Sequence, residues 1–323
     1  MAAMFGYGDV VLFAGRGCPV LAEEIAHHLM NIPLGERDIQ QFSNGNIYVQ
    51  LGESVRGKDA FIIQSTAQPT NDNLMELLIF IDTLKRASAG RVTAVIPYLA
   101  YARSDKKDRP RVPITARLVA DMIQVAGADR YVTLDLHAGQ IQGFFTIPGD
   151  AITAFPLLAD YMRSKELEDA VVVAADLGFA KKARSFAEEL DLPVAFIEKR
   201  RDETKSEALT LIGDVAGKDV IVVDDEVDTG GTIVNDVTLL KQNGARDIYC
   251  CFVHPVLSDE AAKRLRKAPI TQIVTTNSIP IPAEKRLPPT EVLSVAELLA
   301  GVIWRVHEGK SVGEMFKPYH GYS

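Results

Sequence analysis

Apolar and β-branched residues gather in short runs along the chain, and between the runs apolar positions return every three or four residues. The runs at 9–15, 59–66, 91–98, 130–138, 170–177, 193–201, 218–226, 247–255 and 272–279 have strand length and are rich in Val and Ile, the pattern of buried strands. After the second run, Leu74, Leu77, Leu78, Ile81 and Leu84 keep the spacing of one helix face, with Asn71 or Asp72 available as its cap. Strand and helix periods alternate in this way along most of the chain. The alternation predicts an α/β fold with mostly parallel, doubly wound sheets.

At 323 residues the chain is about twice a typical single domain, so the expectation is two similar α/β domains, each with its own core. The turn-rich IPGDA (147–151) falls between two comparable sets of strands and places the boundary there, giving domains 1–150 and 151–300. Residues 301–323 complete a terminal helix and extension, with Trp304 expected to pack against a core.

Acidic residues outnumber basic ones by 43 to 35, a net charge of −8 that argues against a broad nucleic-acid surface. Any phosphate site must be local. Cys18, Cys250 and Cys251 lack zinc-site spacing and read as reduced core residues. The N-terminal residues show no export signal and no run of 18 uncharged apolar residues occurs, so the expectation is a cytoplasmic protein without membrane or nucleic-acid partners.

Candidate chemistry concentrates in VVDDEVDTGGT (222–232), where an apolar strand ends in Asp224 and Asp225 and turns through Asp228, Thr229, Gly230, Gly231 and Thr232 into a helix. Paired glycines let backbone N–H groups approach an oxyanion, the two threonines add hydroxyls, and the helix N-terminus adds positive potential. The carboxylates suit neighbouring ribose hydroxyls and a hydrated Mg²⁺. Together these groups select a phosphorylated sugar. An acidic strand-to-helix turn with a capping Thr is the plainer account, and Asp-Thr-Gly-Gly alone would not exceed it.

The string resembles the phosphoribosyl pyrophosphate loop shared by type I phosphoribosyltransferases and ribose-phosphate pyrophosphokinases. Resemblance to the pyrophosphokinase family extends through 55–98, DLHAGQIQGFF (135–145) and FIEKRR (196–201), nearly the whole chain. It implies two domains of the type I phosphoribosyltransferase kind. The implied activity transfers the diphosphoryl group of ATP to the 1-hydroxyl of ribose 5-phosphate, yielding phosphoribosyl pyrophosphate and AMP. A phosphoribosyltransferase and a catalytically silent regulatory homologue are the alternatives.

By that resemblance Lys199 and Arg201 are the catalytic pair, with Arg201 also on ribose 5-phosphate, and His137 and Asp176 bind Mg²⁺. Read from the residues alone, Lys199–Arg201 is a basic strand end, and Asp176 can cap the following helix. Asp135 and His137, two apart on a strand, are expected to share a face. The implied ATP contacts are Phe42, Asn44, Gly45 and Asn46 in FSNGN, with Arg103, Ser104 and Asp105 in YARSDKK. Here the chain departs from the family, which has Asp-Gly-Glu after Phe-Ser and Gln before the Asp. Asn-Gly also favours a plain turn. Further departures are Thr146, where the family often has Asp, and LGF (177–179), where it has a Gly-Gly pair. Family members are homo-oligomers built from dimers, commonly hexamers, and SVGEMF (311–316) resembles the segment lining their regulatory phosphate site.

Overall fold

The computed structural model describes residues 7–201, 207–287 and 289–316, without the side chains of 199–201, 207 and 208. In chain order the elements are β1 Val10–Ala14, α1 Pro19–His28, β2 Arg37–Gln41, β3 Ile47–Leu51, β4 Asp59–Ile63, α2 Thr70–Arg86, β5 Arg91–Ile96 and α3 Thr115–Ala126. There follow β6 Arg130–Leu134, β7 Gly149–Ile152, α4 Phe155–Arg163, β8 Ala170–Ala174, α5 Ala180–Leu190, β9 Val194–Arg201 and β10 Glu207–Ile212. The chain continues through β11 Asp219–Glu226, α6 Gly231–Gln242, β12 Ile248–His254, α7 Ala261–Lys267, β13 Gln272–Thr276, β14 Thr290–Leu293 and α8 Ala296–His307. The fold is α/β with mostly parallel sheets.

The described chain forms two compact units. One takes the chain up to Thr153 together with Ser278–Pro280 and Ser294–Phe316; the other takes Ala154–Asn277 and Ile281–Leu293. In the first, five parallel strands lie in the order β1-β4-β5-β6-β7, and the β2–β3 hairpin stands apart. The expected helix face exists: Leu74, Leu77, Ile81 and Leu84 of α2 are buried in a core with Phe13, Ile62 and Ala94. Neither Asn71 nor Asp72 caps it. The helix starts at Thr70 after Pro69, and Asn71 instead accepts from the Tyr101 hydroxyl at 2.5 Å. IPGDA is not a free turn either, since Gly149–Ile152 is the edge strand β7. α8 packs on α1, and its Trp304 is half-buried.

The second sheet has the order β10-β9-β8-β11-β12-β13-β14, parallel except at the β9–β10 pair. From β8 the chain moves outward to β9 and β10, then returns to β11 on the other side of β8 and moves the opposite way. Ligands in open α/β sheets bind at the carboxyl ends of strands where the order reverses, here β8 and β11. The first sheet runs in one direction and has no reversal.

All three cysteines are free and buried, and burial pushes the Cys18 thiol up to about 12, so they behave as apolar core residues. No described helix is long and apolar enough to cross a membrane.

Candidate active site

Strand β11 carries its buried run Asp219–Val223 to the reversal point and delivers Asp224 and Asp225 at its carboxyl end. Asp225 is buried at 4% exposure and Asp224 is half-buried. The Asp225 N–H donates to Asp224 Oδ1 and the Glu226 N–H to Asp225 Oδ1, each at 2.9 Å. Burial, and after it the charges of Asp225 and Asp176, push the Asp224 carboxyl well above the usual carboxylate range. The end of β11 is therefore a pocket of crowded negative charge that donors or a cation would relieve.

Two residues on, the backbone turns into α6. Gly230 sits at φ +73° as the helix N-cap, and the first helical bond runs from the Val234 N–H to the Gly230 carbonyl at 3.1 Å. The N–H groups of Gly231, Thr232 and Ile233 precede that bond and point out of the helix end, where the backbone dipole is positive. No acidic side chain occupies this first turn, and Thr229 and Thr232 are exposed beside it. An anion is the complementary occupant.

The two glycines are not equivalent. A Cβ on Gly230 would sit 3.2 Å from Leu265 Cγ and 3.5 Å from the Ala261 carbonyl at a left-handed φ, whereas Gly231 would meet only Thr229 Oγ1 at 3.9 Å. We expect Gly230→Ala to cost roughly 1–2 kcal/mol in urea unfolding and to weaken phosphate binding. Gly231→Ala is expected to leave stability within about 0.5 kcal/mol. Equal losses in the two variants would refute the assignment of strain to Gly230.

Asp176 follows β8 on the other side of the reversal and is exposed. One of its oxygens caps the short turn Leu177–Phe179, accepting from the Phe179 N–H at 2.9 Å. That is the helix-cap role, and a carboxylate has a second oxygen to offer. The expected pairing of Asp135 with His137 on one strand face does not occur. β6 ends at Leu134, Asp135 takes φ +34°, and the alternation stops there. Asp135 is buried and accepts from Thr153 Oγ1 at 2.7 Å, while His137 is exposed. His137 and Asp176 belong to different units, and the described residues contain no group of three His, Cys, Asp or Glu side chains gathered for a metal.

FSNGN is the turn of the β2–β3 hairpin. Gly45 has φ +86°, its N–H donates to the Phe42 carbonyl at 2.8 Å, and the Asn44 side chain accepts from the Asn46 N–H at 3.1 Å. The ring of Phe42, half of it exposed, lies 6.3 Å from that of Tyr48. In YARSDKK, Arg103 is exposed, Ser104 Oγ accepts from the Thr115 N–H at 3.3 Å, and buried Asp105 accepts from Gln140 at 2.5 Å. That last contact joins this loop to the segment carrying His137. The side chains of Lys199 and Arg201 lie outside the described residues; their backbones pair with Leu209 and Glu207 in the β9–β10 ladder.

This geometry can be set beside known proteins. The ribose-phosphate pyrophosphokinase of Caldanaerobacter subterraneus subsp. tengcongensis is 52% identical over 307 residues, covering 94% of this chain and 97% of its own. The chain belongs to the ribose-phosphate pyrophosphokinase family. The family is one of transferases, and its sequence profiles match here as the N-terminal domain of ribose phosphate pyrophosphokinase at 10–127 and the phosphoribosyl synthetase-associated domain at 203–317. The Bacillus caldolyticus pyrophosphokinase is 49% identical over 306 residues, with 94% and 97% of the two chains covered. Phosphoribosylpyrophosphate synthetase from Mycobacterium smegmatis superposes with a TM-score of 0.90 at 46% identity, covering 94% of this chain and all of that one.

Two residues that the sequence did not single out stand behind the turn between β11 and α6. Ser258 and Arg264 lie 30 and 35 residues from their loop partners, Asp228 and Thr229. Their signal is position: HPVLSDEAAKR follows from the end of β12, the strand beside β11, at the edge where α/β sites are built.

Proposed function

We propose that this chain transfers the diphosphoryl group of ATP to the 1-hydroxyl of ribose 5-phosphate, releasing AMP. The carrying observation is the acidic strand end and the unencumbered helix N-terminus placed side by side at the sheet's reversal point. The N–H groups of Gly231 and Thr232, with the hydroxyls of Thr229 and Thr232, receive the 5-phosphate. Asp224 and Asp225 accept from ribose hydroxyls, which orients the 1-hydroxyl for attack on the β-phosphorus. Asp228 shapes the loop between them. Lys199 and Arg201 supply positive charge to the oxygens of the transferring group, Arg201 also meeting ribose 5-phosphate. Phe42, Asn44, Gly45, Asn46, Arg103, Ser104 and Asp105 serve the nucleotide, with Phe42 offering a ring to the base.

Mg²⁺ is the proposed metal, since it prefers oxygen donors such as carboxylates, and Asp176 and His137 are its proposed protein ligands. Magnesium usually takes one or two protein ligands and completes its shell with phosphate and water, so a preformed cage of three side chains is not needed. When bound, it neutralises charge on the polyphosphate. Homo-oligomeric assembly and a cytoplasmic setting complete the reading.

AMP release that requires both ribose 5-phosphate and Mg²⁺ is the deciding assay. No AMP from any nucleoside triphosphate tried would end the proposal. We further expect Lys199→Ala to lower kcat at least tenfold with KM values changed less than about threefold, as for a contact made in the transition state. Unchanged turnover would remove Lys199 from the mechanism.

A further inference from the structure

The loop that turns into α6 does not hold its shape alone. Its outer wall is the segment between β12 and α7 together with α7 itself, and the two grip three consecutive loop residues. The Leu257 N–H donates to the Val227 carbonyl at 2.9 Å and the Ser258 N–H to the Asp228 carbonyl at 3.1 Å. Arg264 Nη1 donates to the Thr229 carbonyl at 3.0 Å. Within this wall Ser258 makes a second contact, its hydroxyl donating to Asp228 Oδ1. Ser258 is 8% exposed, so this bond is shielded from water, and its acceptor is an ionisable carboxylate.

We propose that Ser258 is a positioning residue for ribose 5-phosphate, clamping Asp228 by side chain and backbone so that the N–H groups from Gly230 onward face the phosphate. The proposal rests on the diphosphoryl-transfer reading above and extends it to a residue that does not touch substrate. Two bonds to one residue fix both the carbonyl plane and the side-chain torsion of Asp228. The next residue but one, Gly230, is at φ +73° with α7 against it, so a rotation at Asp228 is passed directly to the N-cap. Losing the hydroxyl leaves the Ser258 N–H bond intact and removes only the bond to Asp228 Oδ1. The expected defect is thus loosened sugar-phosphate binding, not unfolding.

The test is steady-state kinetics of the full chain with each substrate varied at saturation of the other. Ser258→Ala is expected to raise KM for ribose 5-phosphate roughly tenfold, with kcat within about twofold and KM for ATP unchanged. Ser258→Thr, which keeps the hydroxyl, should restore the wild-type KM. In a double-mutant cycle, Ser258→Ala is expected to add little to the defect of Asp228→Ala. If Ser258→Ala does not fold, Ser258→Cys, of similar size and a weaker donor, is read in the same way. An unchanged KM for ribose 5-phosphate in an active variant overturns the positioning role. So does a loss confined to kcat and melting temperature, the mark of a structural residue. A wild-type protein that makes no AMP refutes the underlying reading and takes this proposal with it, so the two failures are distinguishable.

Discussion

Asp224→Asn is expected to stabilise the unliganded protein at neutral pH while crippling its use of ribose 5-phosphate. The sign follows from proton linkage. Burial and the neighbouring carboxylates hold the Asp224 pKa above the unfolded value of about 3.9. Between the two values the folded state binds more protons than the unfolded one, so wild-type stability falls as pH rises through that window and then levels off. Asn cannot ionise. The melting temperature of the variant should exceed that of wild type by a margin that opens above about pH 4 and reaches a plateau once Asp224 is ionised. A constant margin from pH 4.5 to 8, or a less stable variant, would show that Asp224 is not under this strain.

The same substitution removes a charged acceptor from the proposed sugar site. A hydrogen bond to a charged group is worth about 1.5–3 kcal/mol, on the order of ten- to a hundredfold in KM for ribose 5-phosphate. The stability gain and the functional loss have one origin: a carboxylate kept ionised in crowded surroundings is costly in the empty protein and useful when donors arrive. Added Mg²⁺ with ribose 5-phosphate should therefore raise the melting temperature of wild type more than that of Asp224→Asn. An equal rise in both would separate the strain from ligand binding.

What could be read from the sequence was whatever is written in local period. The buried strands announced themselves because parallel strands covered on both faces are continuous apolar runs, and α2 because its leucines keep a helical interval. β2 and β3 escaped because RDIQQ and IYVQL are largely exposed and carry no such run, although Asn-Gly between them is a hairpin signal. β7 escaped because Pro148 and Gly149 read as a turn. Asp135 was misplaced on a strand because nothing in TLDLHA reveals the positive φ that ends it.

The candidate sugar loop stands out in the sequence because its glycines, threonines and carboxylates are contiguous. The residues behind that turn could not be read in this way, since Ser258 reaches Asp228 from a distant segment; a pairing of similar range in the first unit joins buried Glu76, which accepts from the Arg16 N–H at 2.6 Å and from Arg16 Nε at 2.5 Å across 60 residues. Pairings of that range depend on which strands become neighbours, and strand order has no local signature.

The largest stability effect is expected away from the chemistry, at Asp59. This carboxylate is fully buried at the start of β4 and accepts from Arg91 Nε at 2.8 Å and Arg91 Nη2 at 2.5 Å. His307 Nδ1 lies 2.9 Å from the same carboxylate, which requires the proton to be on that nitrogen. Arg91 also donates to the Val306 carbonyl at 3.1 Å and lies 4.2 Å from the Tyr7 ring centroid. One anion thus ties α8, from the far end of the chain, to the first sheet. Asp59→Ala strips the counter-charge from a guanidinium that is only 13% exposed, and breaking a buried pair in this way costs about 3–5 kcal/mol. For a unit of this size that corresponds to a melting temperature lower by roughly 6–20 °C, measured by calorimetry. Replacing Asp59, Arg91 and His307 together by apolar residues of similar volume should cost less than Asp59→Ala alone, because no charge is left stranded. If the single variant melts within about 2 °C of wild type, the cluster is not what fastens α8.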